Sequence, residues 1–213
     1  MDTPFQGSAP EHAITSVEQL EALYGTPKGG AVVKEIDHIS DHYRAFIEKS
    51  PFVVVSTSAP EGLDSSPRGD PAGFVRVADR HTVLIPDRRG NNRLDTLKNL
   101  VRDPRVSLLF LIPGVGETLR INGRADITTD PALCDGFAIN GKPPKSIIRV
   151  TAERVYFQCQ KALVRSKLWD PEARIDRKEL PTAGTIIEAL STDDFDGKAY
   201  DDNYPTYMKD VIY

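Results

Sequence analysis

The 213-residue chain has only two cysteines, Cys134 and Cys159. They do not form a C-x-x-C pair, so there is no disulfide framework, and the setting they imply is reducing and cytoplasmic. Long apolar runs are also missing. The longest, Val106 to Ile112, is broken by Ser107 and falls far short of the roughly 20 residues a membrane span needs. The first twelve residues show no basic stretch followed by an apolar one, so no secretory leader is expected. Several catalytic signatures are lacking: no G-x-S-x-G, no phosphate-loop G-x-x-x-x-G-K, no H-E-x-x-H and no dinucleotide-fold glycine fingerprint. The four histidines show no triad spacing. His38 and His42 stand four apart, but no third ligand sits at a metal-binding spacing, so they read as the polar side of a helix and no metal is expected.

The chain does have enough apolar material, 39% of residues, for one packed domain with appendages. Its formal charge of −4 hides a segregation. Residues 66–125 carry 11 basic and 6 acidic groups, and residues 142–170 carry 7 and 2. The ends are acidic, with 4 basic against 10 acidic groups in residues 1–65 and 2 against 6 in residues 191–213. Two basic segments inside an acidic chain point to an anion site.

Periodicity predicts the elements. Thr15-Ser16 cap a helix over residues 17–24 that Gly25 ends, and a second helix spans about Ser40 to Lys49. From residue 51 the period changes to that of strands: Phe52–Thr57, Phe74–Val77, Thr82–Ile85, Val106–Ile112, Thr118–Thr128 interrupted at Gly123, and Ile147–Gln158. The stretch from Ser65 to Gly73 reads as turn-rich. Leu94, Leu97, Leu100 and Val101 form a helical stripe, Asp130-Pro131 caps a short helix, and Lys161–Trp169 reads as a basic helix. Ala183–Leu190 is a further helix, and residues 193–213 form an aromatic, acidic tail. Hairpin-like spacing favours a mainly β fold, an antiparallel sheet or barrel with flanking helices. The expected organisation is a helical segment over 1–50 packing on the barrel, a barrel domain over 51–170 and an acidic extension over 171–213.

Three strings could carry chemistry. Pro86-Asp87-Arg88-Arg89-Gly90-Asn91-Asn92-Arg93 follows a strand and opens a helix, where unpaired N–H groups and arginine forks suit an anion; the alternative is a solvated turn in which Asn92 caps the helix. Ser66-Pro67-Arg68-Gly69-Asp70 places hydroxyl, guanidinium and carboxylate together; the alternative is a polar hairpin loop. In the third, Lys161 and Arg165 share a helix face and Trp169 offers a stacking surface. Cys159 reads as a buried structural cysteine.

Four strings in order, S-P-R-G-D-P-A-G-F-V, L-I-P-D-R-R-G-N-N-R-L-D-T-L-K-N-L, L-L-F-L-I-P-G-V-G-E-T-L-R-I-N-G-R-A and C-Q-K-A-L-V-R-S-K-L-W, resemble the pyridoxamine 5′-phosphate oxidase-like FMN-binding split-barrel proteins. The resemblance covers roughly residues 30 to 170 and is nearest the subgroup of FMN-dependent enzymes of that class. It implies a six-stranded antiparallel split barrel and a homodimer with FMN at the subunit interface. It places Arg68, Asn92 and Arg93 toward the phosphate and Ile85 and Pro86 on the strand facing the flavin ring, and it counts Ser66, Asp70, Asp87 and Asn91 among the cofactor-binding residues. Thr118 falls on the strand that reaches the flavin from the partner, and Gln158, Lys161, Arg165 and Trp169 lie toward the ring or the substrate mouth. The tail lacks the family's C-terminal tryptophan and Arg-His signature, so FMN binding is implied more strongly than vitamin B6 oxidation. No catalytic residue is singled out. The function expected is an FMN-dependent oxidoreductase acting on a small organic molecule. A non-catalytic FMN carrier or sensor is the alternative. A nucleic-acid-binding barrel is disfavoured because aromatics do not interleave with the basic residues.

Overall fold

The computed structural model describes residues 12–90 and 92–213. It divides into two units, one ending at Glu35 and the other running from Ile36 to Tyr213. In the first, α1 (Val17–Tyr24) is capped by the Ser16 hydroxyl, which accepts from the Gln19 N–H, and stops at Gly25 with φ 74°. A single turn, α2 (Gly30–Val33), follows, and neither helix has a buried residue.

The second unit opens with α3 (Asp41–Lys49), capped by Ser40 and burying Tyr43 and Ile47. Its strands are β1 (Phe52–Ala59), β2 (Gly62–Gly69), β3 (Arg76–Val77), β4 (Thr82–Asp87), β5 (Arg105–Leu111), β6 (Thr118–Thr128) and β7 (Ser146–Gln158). The helix α4 (Asp95–Arg102) lies between β4 and β5, and α5 (Pro131–Gly136) between β6 and β7. The seven strands form one antiparallel sheet in the order β2-β1-β5-β6-β7-β4-β3. Four strands separate β2 from β4 in that order, and no ladder joins them. Yet Arg68 on β2 and Asp87 at the end of β4 approach to 3.9 Å. The sheet therefore curls round on itself without closing, which is a split barrel. The count is seven rather than the expected six because the turn-rich stretch up to Gly69 forms a strand, β2, paired with β1.

Alternation along the strands sends Val53, Val55, Leu108, Phe110, Leu119, Ile121, Ile148, Val150 and Val155 inward, all essentially fully buried. Side chains of this kind contribute roughly 1.5–3 kcal/mol each when fully buried. α4 packs against β1, β2 and β6 and buries Thr96, Asn99 and Leu100. The break at Gly123 is a bulge, where Asn122 pairs with Arg154 and Gly123 with Ala152, leaving Glu153 as the extra residue. A Cβ on Gly123 would lie 2.0 Å from the Thr151 carbonyl oxygen, so only glycine fits.

Other expectations shift. The Ser65–Gly69 stretch is not a loop but part of edge strand β2, where Pro67 is tolerated because an edge needs fewer ladder donors. The basic helix α6 (Lys161–Ser166) stops short of Trp169, because Lys167 turns left-handed at φ 53°. Beyond it come α7 (Ala183–Leu190) and α8 (Gly197–Val211), so most of the tail is helical. α7 and α8 cross at Gly184 and Gly197, where an added Cβ would overlap backbone. Cys159 is exposed, and the buried cysteine is Cys134.

Gly123→Ala should destabilise the fold by roughly 1–3 kcal/mol or more through that overlap. Thermal unfolding checks this, and an unchanged Tm would contradict the role given to the bulge.

Candidate functional site

The alternation of β2 puts Asp64, Ser66 and Arg68 on one half-buried face, while Leu63, Ser65 and Pro67 are exposed. The polar face meets the start of α4. Arg68 Nη2 donates to Thr96 Oγ1 at 3.2 Å, and Thr96 Oγ1 donates to Asp64 Oδ2 at 2.5 Å. The Ser66 hydroxyl donates to the same carboxylate at 3.0 Å. Thr96 is 2% exposed, so its hydroxyl is held in a single arrangement between Arg68 and Asp64.

Two ion pairs cross the split in opposite senses. Arg68 faces Asp87 at 3.9 Å, and Arg88 Nε donates to Asp70 Oδ2 at 2.7 Å. The Asp70 side chain is 3% exposed. Burial pushes the Asp87 carboxyl above the usual aspartate range, against the pull of the Arg68 and Lys145 charges. The chain's last residues also arrive here. Burial and the hydrogen bond to Asp70 raise the Tyr213 phenol, and Lys142 Nζ donates to Tyr213 O at 2.7 Å. Just before Asp87 and Arg88, β4 has an edge without a ladder, although Ile85 and Pro86 on it are themselves buried. β3 pairs only with Val83 and Leu84, so Ile85, Pro86 and Asp87 have no ladder partner on that side.

The loop before α4 is sharply turned, with Asn92 at φ 58° and Leu94 at φ 60°. Leu94, not Asn92, occupies the cap position, and no side chain caps the helix. Arg93 Nε donates to Asp95 at 2.8 Å and the Arg93 side chain is 73% exposed. Asn91 lies outside the described residues.

The remaining predicted residues are elsewhere. Thr118 is buried and pairs with Gln158 at the far end of β7. Trp169 Nε1 donates to the Val115 carbonyl at 2.8 Å, pinning the indole beside the β5–β6 turn. Lys161 and Arg165 are exposed on α6. Ser146 pairs with Asp87 and Gln158 with Thr118, twelve residues further along β7. At about 3.3 Å per residue that is on the order of 40 Å of strand. The chain therefore gathers Ser66, Arg68, Asp70, Ile85, Pro86, Asp87 and Arg93 around the split, and leaves Thr118, Gln158, Lys161, Arg165 and Trp169 at the opposite end.

The family profile described as pyridoxamine 5′-phosphate oxidase matches residues 39–159, more than half of the chain. The chain belongs to the pyridoxamine 5′-phosphate oxidase family. No curated protein sequence matches it. Similar solved structures include HupZ from Group A Streptococcus (19% identity, 55% of this chain and 91% of that one, TM-score 0.44). General stress protein 26 from Bacillus anthracis is another (16% identity, 53% and 88%, TM-score 0.41). A NimC/NimA family protein from Clostridium acetobutylicum is a third (12% identity, 56% and 87%, TM-score 0.42).

Within this family member, sequence reasoning passed over Asp64, Arg88, Thr96 and Tyr213 as site residues. Asp64 was findable, since it shares the period-2 face of Ser66 and Arg68, and Arg88 lay inside a string already singled out. Nothing local marked Thr96 or Tyr213, because their places depend on how α4 and the tail fold back.

Asp87 gives a stability prediction. Its folded pKa is raised, so the folded state prefers the proton more than the unfolded chain does. Its ionised form then costs stability at neutral pH, and that cost disappears as the pH falls below the ordinary aspartate range. Asp87→Asn should raise Tm at pH 7, with the gain fading toward about pH 4. A Tm that falls at pH 7 would mean that the Arg68 pairing outweighs the burial.

Proposed function

We propose that the protein binds FMN at the split of the barrel and uses it as an oxidoreductase acting on a small organic molecule, working as a homodimer. The observation that carries this reading is the array of Asp64, Ser66, Arg68 and Thr96 beside the unpaired edge of Ile85–Asp87. A flavin phosphate needs several convergent donors on a rigid support. Arg68 is held by Thr96 and the Pro67 carbonyl, and Arg93 stands exposed at the opening of α4. The donor set therefore fits a phosphate: guanidinium and hydroxyl groups, with carboxylates that hold the cations in place. Asp87, the partly exposed end of the unpaired β4 edge, is where a planar ring with its own donors and acceptors would meet the backbone.

Bound FMN would supply hydride and single-electron transfer at its ring. The protein's part is to hold and orient. Arg68, Ser66 and Arg93 grip the phosphate, with Asn92 in the adjoining loop and Asp70 fixing Arg88. Ile85, Pro86 and Asp87 border the ring. Thr118, Gln158, Lys161, Arg165 and Trp169 are too far along β7 to reach the same ligand from the same chain. A second copy supplies them, which is why the reading includes a homodimer. The outward faces of β1 and β5 suit such a partner: Phe52, Val54, Leu109 and Leu111 point away from the core and are only partly covered. Lys161 and Arg165 lie toward the proposed ring end, where a positive charge favours the reduced, anionic flavin. Among the described residues no helix is long and apolar enough to cross a membrane.

The purified protein should be yellow, with FMN identified by mass spectrometry of the released ligand. Reduction by NADPH or a deazaflavin and turnover with an acceptor separates an enzyme from a carrier. Arg68→Ala and Arg93→Ala should each weaken FMN retention, by roughly 10- to 100-fold for the better-held Arg68. Full flavin occupancy in both variants would overturn the phosphate assignment.

A further inference from the structure

Arg120 stands apart from the other arginines. Four are half-buried among the described residues: Arg44, Arg68, Arg88 and Arg120. The first three each face a carboxylate, of Glu48, Asp87 and Asp70. Arg120 faces none. Its Nη1 donates to the Tyr156 hydroxyl and its Nη2 to Gln158 Oε1, both at 3.2 Å. The guanidinium carbon lies 5.6 Å from the Tyr156 ring centroid. Every partner is neutral, and only two of the five N–H donors are used.

A guanidinium held this firmly, partly out of water and without a counter-charge, is an incomplete pairing. The two hydrogen bonds and the ring fix its plane, so the unused donors form a pre-set fork. Its position gives the fork a use. Arg120 is two residues after Thr118 on β6, hence on the same face, and pairs across the ladder with Leu109 on one side and Tyr156 on the other. Gln158, one of its partners, pairs with Thr118. Trp169 is pinned to the turn that leads into β6.

We propose that Arg120 recognises the substrate, and that the substrate is a small monoanion bearing a carboxylate. This rests on the flavin-binding dimer proposed above, which brings this end of β6 beside the flavin ring of the partner. The charge count selects a monoanion. One cation among neutral neighbours balances one negative charge and leaves a phosphate dianion half-neutralised. The planar fork suits a planar carboxylate held in a bidentate way.

The test uses flavin-loaded protein and its Arg120→Met and Arg120→Lys variants. Each is titrated with benzoate and acetate, with their neutral amides, and with inorganic phosphate, following the absorbance of the bound flavin. Flavin stoichiometry, thermal melting and sedimentation are measured alongside. In the wild type at least one carboxylate should bind at least about tenfold more tightly than its amide and than phosphate. Arg120→Met should abolish that preference, and Arg120→Lys should restore part of it. Flavin content and dimerisation should be unchanged in both variants. A preference that survives in Arg120→Met, or one absent from the flavin-loaded wild type, overturns the proposal. Dissociation of the variants to monomers overturns it in favour of a carboxylate on the second copy. Loss of flavin overturns it in favour of the cofactor. Wild-type protein that takes up no FMN at all defeats instead the flavin reading beneath it, and the proposal falls with that reading.

Discussion

The split in the barrel is bridged by two ion pairs of opposite sense, Arg68 with Asp87 and Asp70 with Arg88. They join segments that share no ladder, so nothing in the backbone hydrogen bonding fixes how closely β2 approaches β4. A carboxylate as buried as Asp70 cannot be left alone, since breaking such a pair costs about 3–5 kcal/mol. The pairing adds little net stability over an apolar contact of the same shape, but it specifies geometry: each charge dictates where the opposite strand must stand. α4 fits beneath this junction, and Thr96 joins it to β2 through Arg68 and Asp64.

The junction is also what makes the split suitable for an anion. Its guanidinium groups are already oriented, so a ligand phosphate would meet donors that need little reordering. The carboxylates hold the cations in place, and burial disfavours the ionised form of one of them, Asp87. Next to it, β4 has no ladder partner on one side. At the other end of β7 the arrangement differs: neutral partners, one arginine and an indole fixed by a carbonyl. On the proposed reading the two ends are the two halves of one site, completed by a second copy.

Much of this was legible in the residues. The change from helical to period-2 spacing at residue 51 located the sheet, and Gly123 marked the bulge because a strand interior has no other need of glycine. The first basic segment contains the Arg68 and Arg88 of the split, whereas the second runs on to Lys161 and Arg165 at the other end. Where the reading failed, the cause was tertiary. Ser65–Gly69 looks like a turn because Ser, Pro and Gly dominate it, yet the ladder to β1 makes it an edge strand. α6 was drawn too long because the left-handed Lys167 carries no sequence signal. Tyr213 reaches Asp70 from more than a hundred residues away, and only the folded chain shows it. Arg120 was passed over because its significance lies in the missing carboxylate, which no string of residues records.

The central claim is that the split holds the phosphate of a flavin. The most direct measurement is the affinity of flavin-free protein for FMN and for riboflavin, which lacks only the phosphate, followed by quenching of flavin fluorescence. FMN should bind at least about a hundredfold more tightly, the difference coming from charged hydrogen bonds to the phosphate. Equal affinity for the two would contradict the account.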